Sequence, residues 1–171
     1  MDIISSAKRN PIQWSVVVFV TLCFWLSASM VLDFVIIPSL MQAGMMTEPG
    51  FISAGYSMFG LFNHIELLCA GFILSGFLVL KRNQILPPEK GQWAIIFATF
   101  LLGIAVICRY FLTPQLSGLG IDLNWFEANT MMSAEMMKFH LGYWFLELTK
   151  FIVGGLLLVW SFQAWKPETS H

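Results

Sequence analysis

Four long apolar runs dominate the chain, and the polar positions fall between them. The runs cover about Trp14–Ile37, Ser57–Leu80, Trp93–Leu112 and Phe139–Trp165. Each reaches the roughly 20 mostly apolar residues that a helix needs to cross a bilayer. The pattern predicts an all-α integral membrane protein: one transmembrane domain over residues 1–171, with four spans. The first run is too long for the hydrophobic stretch of a signal peptide, so it is read as an uncleaved first helix.

Composition agrees. The 171 residues are 57% hydrophobic and 11% charged, and mean hydropathy is +0.74. A chain this short has too little interior for so much apolar surface, so lipid has to be the solvent for much of it. Net charge is −1, with no stripe of Lys and Arg to bind nucleic acid. Cys23, Cys69 and Cys108 all stand in apolar runs without a CxxC pair. They read as small packing residues and imply no disulfide.

The charges between the runs predict an orientation. Lys8, Arg9, Lys81, Arg82, Lys90 and Lys166 lie on one side. Glu48, Asp122, Glu127 and Glu135 lie on the other, where Lys138 is the one cation of the loops. The positive-inside rule then puts both termini in the cytoplasm or an equivalent such as a stroma. Trp93, Trp160 and Trp165 toward the inner ends, and Trp125 and Trp144 toward the outer side, suit an interfacial aromatic belt.

The two halves can be overlaid with an offset of 76 residues. Pro38 falls on Pro114, His64 on His140 and Asp33 on Arg109. This predicts a parallel repeat of two helix hairpins, related by an axis along the membrane normal. Proline lacks the N–H that would continue a helix, so each proline is expected to end its span. Asp33 and Arg109 both stand five residues before a proline, at similar depth. Intramembrane charges are costly and usually paired, so the two are expected to meet.

The stretch "FNHIELL", residues 62–68, puts Asn63, His64 and Glu66 inside the second span. Positions two apart on a helix point about 200° from each other. His64 therefore faces with Gly60, Gly71 and Ser75, and Glu66 with Asn63 and Ala70. In the fourth span His140, Glu147 and Gly154 share a face, and Lys150 is one turn from Glu147. Glu66, Glu147 and Lys150 all lie near mid-span. A lone charge there costs at least about 2.5–3.5 kcal/mol. Two carboxylates and one ammonium leave one surplus negative charge, which a bound proton would neutralise.

Three functions fit these residues. The leading one is a non-catalytic accessory or interaction protein. In that reading the polar groups bond across helices, and Gly60, Gly71, Ser75, Gly76, Gly154 and Gly155 permit close packing against a membrane-protein partner or a second copy. The alternative is a proton-coupled or small-solute carrier using Glu66, Glu147 and Lys150. The third is a haem b or copper site on His64 and His140, with eight of the ten methionines near that side. The first reading predicts a small-residue or polar face left open to lipid, the second a polar interior. No phosphate-binding glycine loop, nucleophile elbow or HExxH is present, so neither an enzyme nor a resident cofactor is expected.

The segments "FWLSASMVLDFVIIPSL", "GYSMFGLFNHIELLCA", "LTPQL" and "FHLGYWFLELTKFIVGGLLL" resemble a small four-helix membrane family of unassigned function. That family is typified by a human transmembrane protein linked to platinum-drug resistance, and the likeness is greatest to uncharacterised members from cyanobacteria. It covers nearly the whole chain and carries over to Pro38, Phe62, His64, Pro114 and His140. The resemblance implies four helices and a membrane location, not a reaction. A cyanobacterial setting would imply a thylakoid or plasma membrane, beside a photosynthetic complex.

Overall fold

The computed structural model describes residues 11–45, 50–115 and 134–165. Among these, the regular structure is all helical. Helix α1 (Pro11–Val31) runs through a π-helical turn (Leu32–Ile36) into the short α2 (Ile37–Gln42). Helix α3 (Phe51–Arg82) returns. Helix α4 (Pro88–Ile107) follows and enters a second π-helical turn (Cys108–Leu112). Helix α5 (Ala134–Trp165) closes the bundle. Four segments are long and apolar enough to cross a membrane: Gln13–Leu40, Ser53–Arg82, Pro88–Gln115 and Met137–Ala164.

These helices outrun the apolar stretches that announce them. Helix α3 starts at Phe51 and α4 at Pro88, because turns of mixed polarity beyond the apolar stretch still close helical hydrogen bonds. Pro88 suits a first helical position, where its missing N–H would have had no partner. Lys138 falls inside α5 rather than in a loop.

Pro38 does not end its span, which corrects the sequence expectation there. Helix continues through Pro38, and residues 113–115 remain helical around Pro114. The π turns explain how. Just before each proline, the Ile37 N–H bonds back to the Leu32 carbonyl and the Thr113 N–H to the Cys108 carbonyl. Those five-residue steps widen the turn where the proline has no N–H to give and its ring would crowd a carbonyl. The two π turns are themselves 76 residues apart.

The helices pack in a ring. Helix α1 lies against α3 and α5, and α4 lies against the same two. The diagonal pairs, α1 with α4 and α3 with α5, make no close backbone approach. Pro11, Trp165 and the α3–α4 turn mark the end of the bundle near the termini; α2 and Ala134 mark the far end. The near half is an apolar core built on Val18, Leu22, Ile73, Phe77, Leu101 and Leu157. Two glycines set its spacing. A Cβ at Gly76 would fall on Val18, and one at Gly154 would come 2.8 Å from a methyl of Leu26. Large apolar side chains such as Leu61, Phe145 and Leu148 point outward.

Candidate functional site

The far half of the bundle interior is polar, and Glu66 is its hub. Trp25 Nε1 donates to Glu66 Oε1 at 2.8 Å and Ser29 Oγ at 3.2 Å. Lys150 Nζ donates to the same oxygen at 2.5 Å. Three faces converge here. Trp25, Ser29 and Asp33 recur every fourth residue along the first span. Asn63 and Glu66 share a face of α3. Tyr143, Glu147 and Lys150 share a face of α5. Glu66 and Lys150 meet across a diagonal of the ring, which long side chains can span although the backbones do not touch.

Lys150 also binds Glu147, Nζ to Oε2 at 2.6 Å, as its spacing predicts. Asp33 joins from the first span: Tyr143, on the same face of α5 as Glu147, donates its hydroxyl to Asp33 Oδ1 at 3.1 Å. Asp33, Glu66, Glu147 and Lys150 are each at most 4% exposed. The cluster thus holds three carboxyl groups and one ammonium. With every acid ionised it would carry two negative charges in excess. Asp33 Oδ2 has no hydrogen-bond donor, and Lys150 approaches Glu147 Oε2 without hydrogen-bond geometry.

Closer to the far end, Asn63 Nδ2 donates to Thr113 Oγ1 at 2.6 Å, and that hydroxyl donates to the Cys108 carbonyl at 2.9 Å. The threonine thereby satisfies a buried amide of α3 and caps the second π turn.

Asp33 and Arg109 do not meet, which corrects the expected pair. No ion pair joins them among the described residues. They stand on diagonally opposite spans, and each turns to a lateral neighbour: Asp33 to α5 and Arg109 to α3. An Arg109 amino group approaches His64 Nε2 at 3.2 Å, and His64 Nδ1 lies 2.8 Å from the Gly60 carbonyl. Glu66 points inward and His64 outward, as their spacing requires.

His64 is exposed and His140 half-buried, on diagonally opposed helices. Among the described residues no group of three or more His, Cys, Asp or Glu side chains could hold a metal ion. Met46, Met131, Met132, Glu48, Asp122, Trp125 and Glu127 lie outside the described residues. Cys23, Cys69 and Cys108 are free thiols.

The sequence pointed to Glu66, Glu147 and Lys150 but missed Trp25, Ser29, Tyr143 and Thr113 as partners. A fourfold spacing of polar residues in the first and fourth spans was the available signal. No protein-family model, curated protein or solved structure matches the chain, so its chemistry is read from the site itself.

Proposed function

We propose that the buried cluster binds and exchanges protons, and that the chain is a proton-coupled or small-solute carrier. One observation carries this reading: three buried carboxyl groups gather around a single ammonium, which bonds two of them. Surplus negative charge at that depth calls for bound cations, and a proton is the smallest. A purely structural ion pair would gain nothing from a third acid, since even balanced buried pairs are of doubtful net benefit. Tyr143 and Asp33 extend the charged interior toward the far end, whereas the near half buries apolar side chains with the hydroxyls of Ser15 and Ser161 and no charge among the described residues. The site is therefore approached from the far side.

The parallel repeat supports a moving part. Prolines, π turns, Asp33 with Arg109, and His64 with His140 all recur at an offset of 76. Packing follows the same two-fold pattern. Helix α1 lies on α3 as α4 lies on α5, and α1 lies on α5 as α4 lies on α3. Two hairpins around a central charge cluster can rock against each other, as repeats do in transporters. The halves differ in chemistry, since Glu66, Glu147 and Lys150 fall opposite Gly142, Gly71 and Leu74. Proton flux into liposomes is the test. Glu147→Gln removes it in this reading while the protein still folds; unchanged flux removes Glu147 from the mechanism.

A second reading, the accessory or interaction protein, rests on a different surface. His64 and Ser75 of α3 are exposed toward lipid, and a Cβ at Gly71 or at Gly103 of α4 would meet no heavy atom within 4 Å. Small-residue faces of this kind suit helix–helix contact with a membrane partner or a second copy. The resemblance to cyanobacterial proteins would place that partner in a thylakoid or plasma membrane. Purification in mild detergent followed by mass spectrometry separates the two: recovery with one large membrane complex favours the accessory role, and recovery alone favours the carrier. For haem or copper, the Nε2 of His64 is already turned to Arg109. Metal analysis and the absorption spectrum of the pure protein test that reading.

A further inference from the structure

Arg109 is a membrane-depth cation that the carrier chemistry does not use. It stands in the second π turn, six residues before the end of the Pro88–Gln115 span. Its guanidinium lies beside Gly60 of α3, and the 21 residues from Gly60 to Lys81 at the near end rise about 30 Å, the thickness of a hydrocarbon core, which leaves far-side headgroups within reach of a long side chain. No carboxylate pairs with it among the described residues. Its neighbours are the His64 ring, the ring of Tyr110 at 5.9 Å and the bare backbone of Gly60.

The hydrogen bonds define what His64 offers. Nδ1 faces a carbonyl, which only accepts, so the ring proton sits on Nδ1. Arg109 can only donate, so Nε2 offers its lone pair to the guanidinium. The positive charge of Arg109 is oriented by His64 but not compensated. Its Nε–H is buried without an acceptor, so a ligand arriving from the open side would meet the two amino groups instead. The site opens sideways, because His64 is exposed and Tyr110 is 67% exposed on the outer surface of α3 and α4. Gly60 presents no side chain to narrow the approach.

We propose that Arg109 and His64 form a binding site for the phosphodiester of an anionic phospholipid in the far leaflet. A guanidinium presents parallel donors that match two phosphate oxygens, which an ammonium cannot do. The depth is that of a headgroup rather than of the bundle centre, and the lipid chains would lie along the exposed apolar flank at Leu61. His64 is a positioning residue: it holds the guanidinium plane outward through its single acceptor nitrogen.

Native mass spectrometry of the purified protein with defined phospholipids tests this, and it is independent of flux through the cluster. The site predicts retention of phosphatidylglycerol over phosphatidylcholine by about tenfold, since both carry the phosphodiester but the choline cation cancels its charge and sets a second positive group near Arg109. Arg109→Gln abolishes that preference. Arg109→Lys keeps part of it, since the charge remains and the fork is lost. If the Arg109 variants do not fold, the headgroup series on the unaltered protein still decides. Adding inorganic phosphate distinguishes the source: lipid retained against it supports a headgroup site, whereas displacement by phosphate together with loss in Arg109→Gln supports the same anion chemistry met from solution. Equal retention of both lipids overturns the proposal. So does loss of a co-purifying polypeptide, rather than of lipid, in the Arg109 variants.

Discussion

Glu66 Oε1 accepts from an indole, a hydroxyl and an ammonium, so the cluster is most sensitive at its one cation. Removing Lys150 leaves three acids without a counter-charge, and breaking a buried pair from one side costs about 3–5 kcal/mol. Lys150→Met is therefore expected to lower stability by that order in detergent unfolding. Adding Glu66→Gln should recover part of the loss; a double mutant no better than Lys150→Met alone would contradict the pairing. At this scale the sequence was half legible. Glu147 and Lys150 lie on one helix three residues apart, so local geometry alone puts them in contact. Glu66 finds Trp25 and Ser29 only through the register of α3 on α1, which periodicity does not encode. Asp33 and Arg109 show the limit. Equal depth and opposite charge placed them together, but the ring order put them on a diagonal, where each found a nearer lateral partner.

Helix elements were legible because each apolar run is long enough to admit one interpretation. Their ends were not, since Phe51–Tyr56 and Pro88–Gln92 are helical without being uniformly apolar. The π turns were illegible for a physical reason. Proline signals a missing donor, and whether a chain stops or widens its turn depends on packing against neighbouring spans. Close approach between elements gives a sharper prediction. Gly76→Ala puts a methyl on Val18 of α1 and should cost about 1–3 kcal/mol, the usual penalty for overpacking. Val18→Ala in the same chain should relieve it. If Gly76→Ala alone is neutral in thermal unfolding, α1 and α3 are further apart than described. Gly71→Ala, with open space beyond it, should cost nothing and raise stability by up to about 1 kcal/mol, since Ala is the better helix former.

At the scale of the whole molecule, the four long helices bring Pro11 and Trp165 to one end of the bundle, and the positive-inside rule proposes that this end faces the cytoplasm. Single cysteines at Gln42, at the far end, and at Gln84, in the turn near the termini, report this directly. An impermeant maleimide applied to intact cells should label Gln42→Cys and spare Gln84→Cys; the reverse pattern would invert the orientation and the leaflet assigned to Arg109. A carrier built on this cluster requires that the buried acids hold a proton. Infrared spectroscopy of the purified protein at neutral pH reads this without any assumption about substrate. It should reveal the carbonyl stretch of a protonated, buried carboxyl group, diminished or shifted in Glu147→Gln and in Asp33→Asn. A spectrum carrying only ionised carboxylate bands, unchanged in both variants, would contradict the proton site and leave the cluster a structural network.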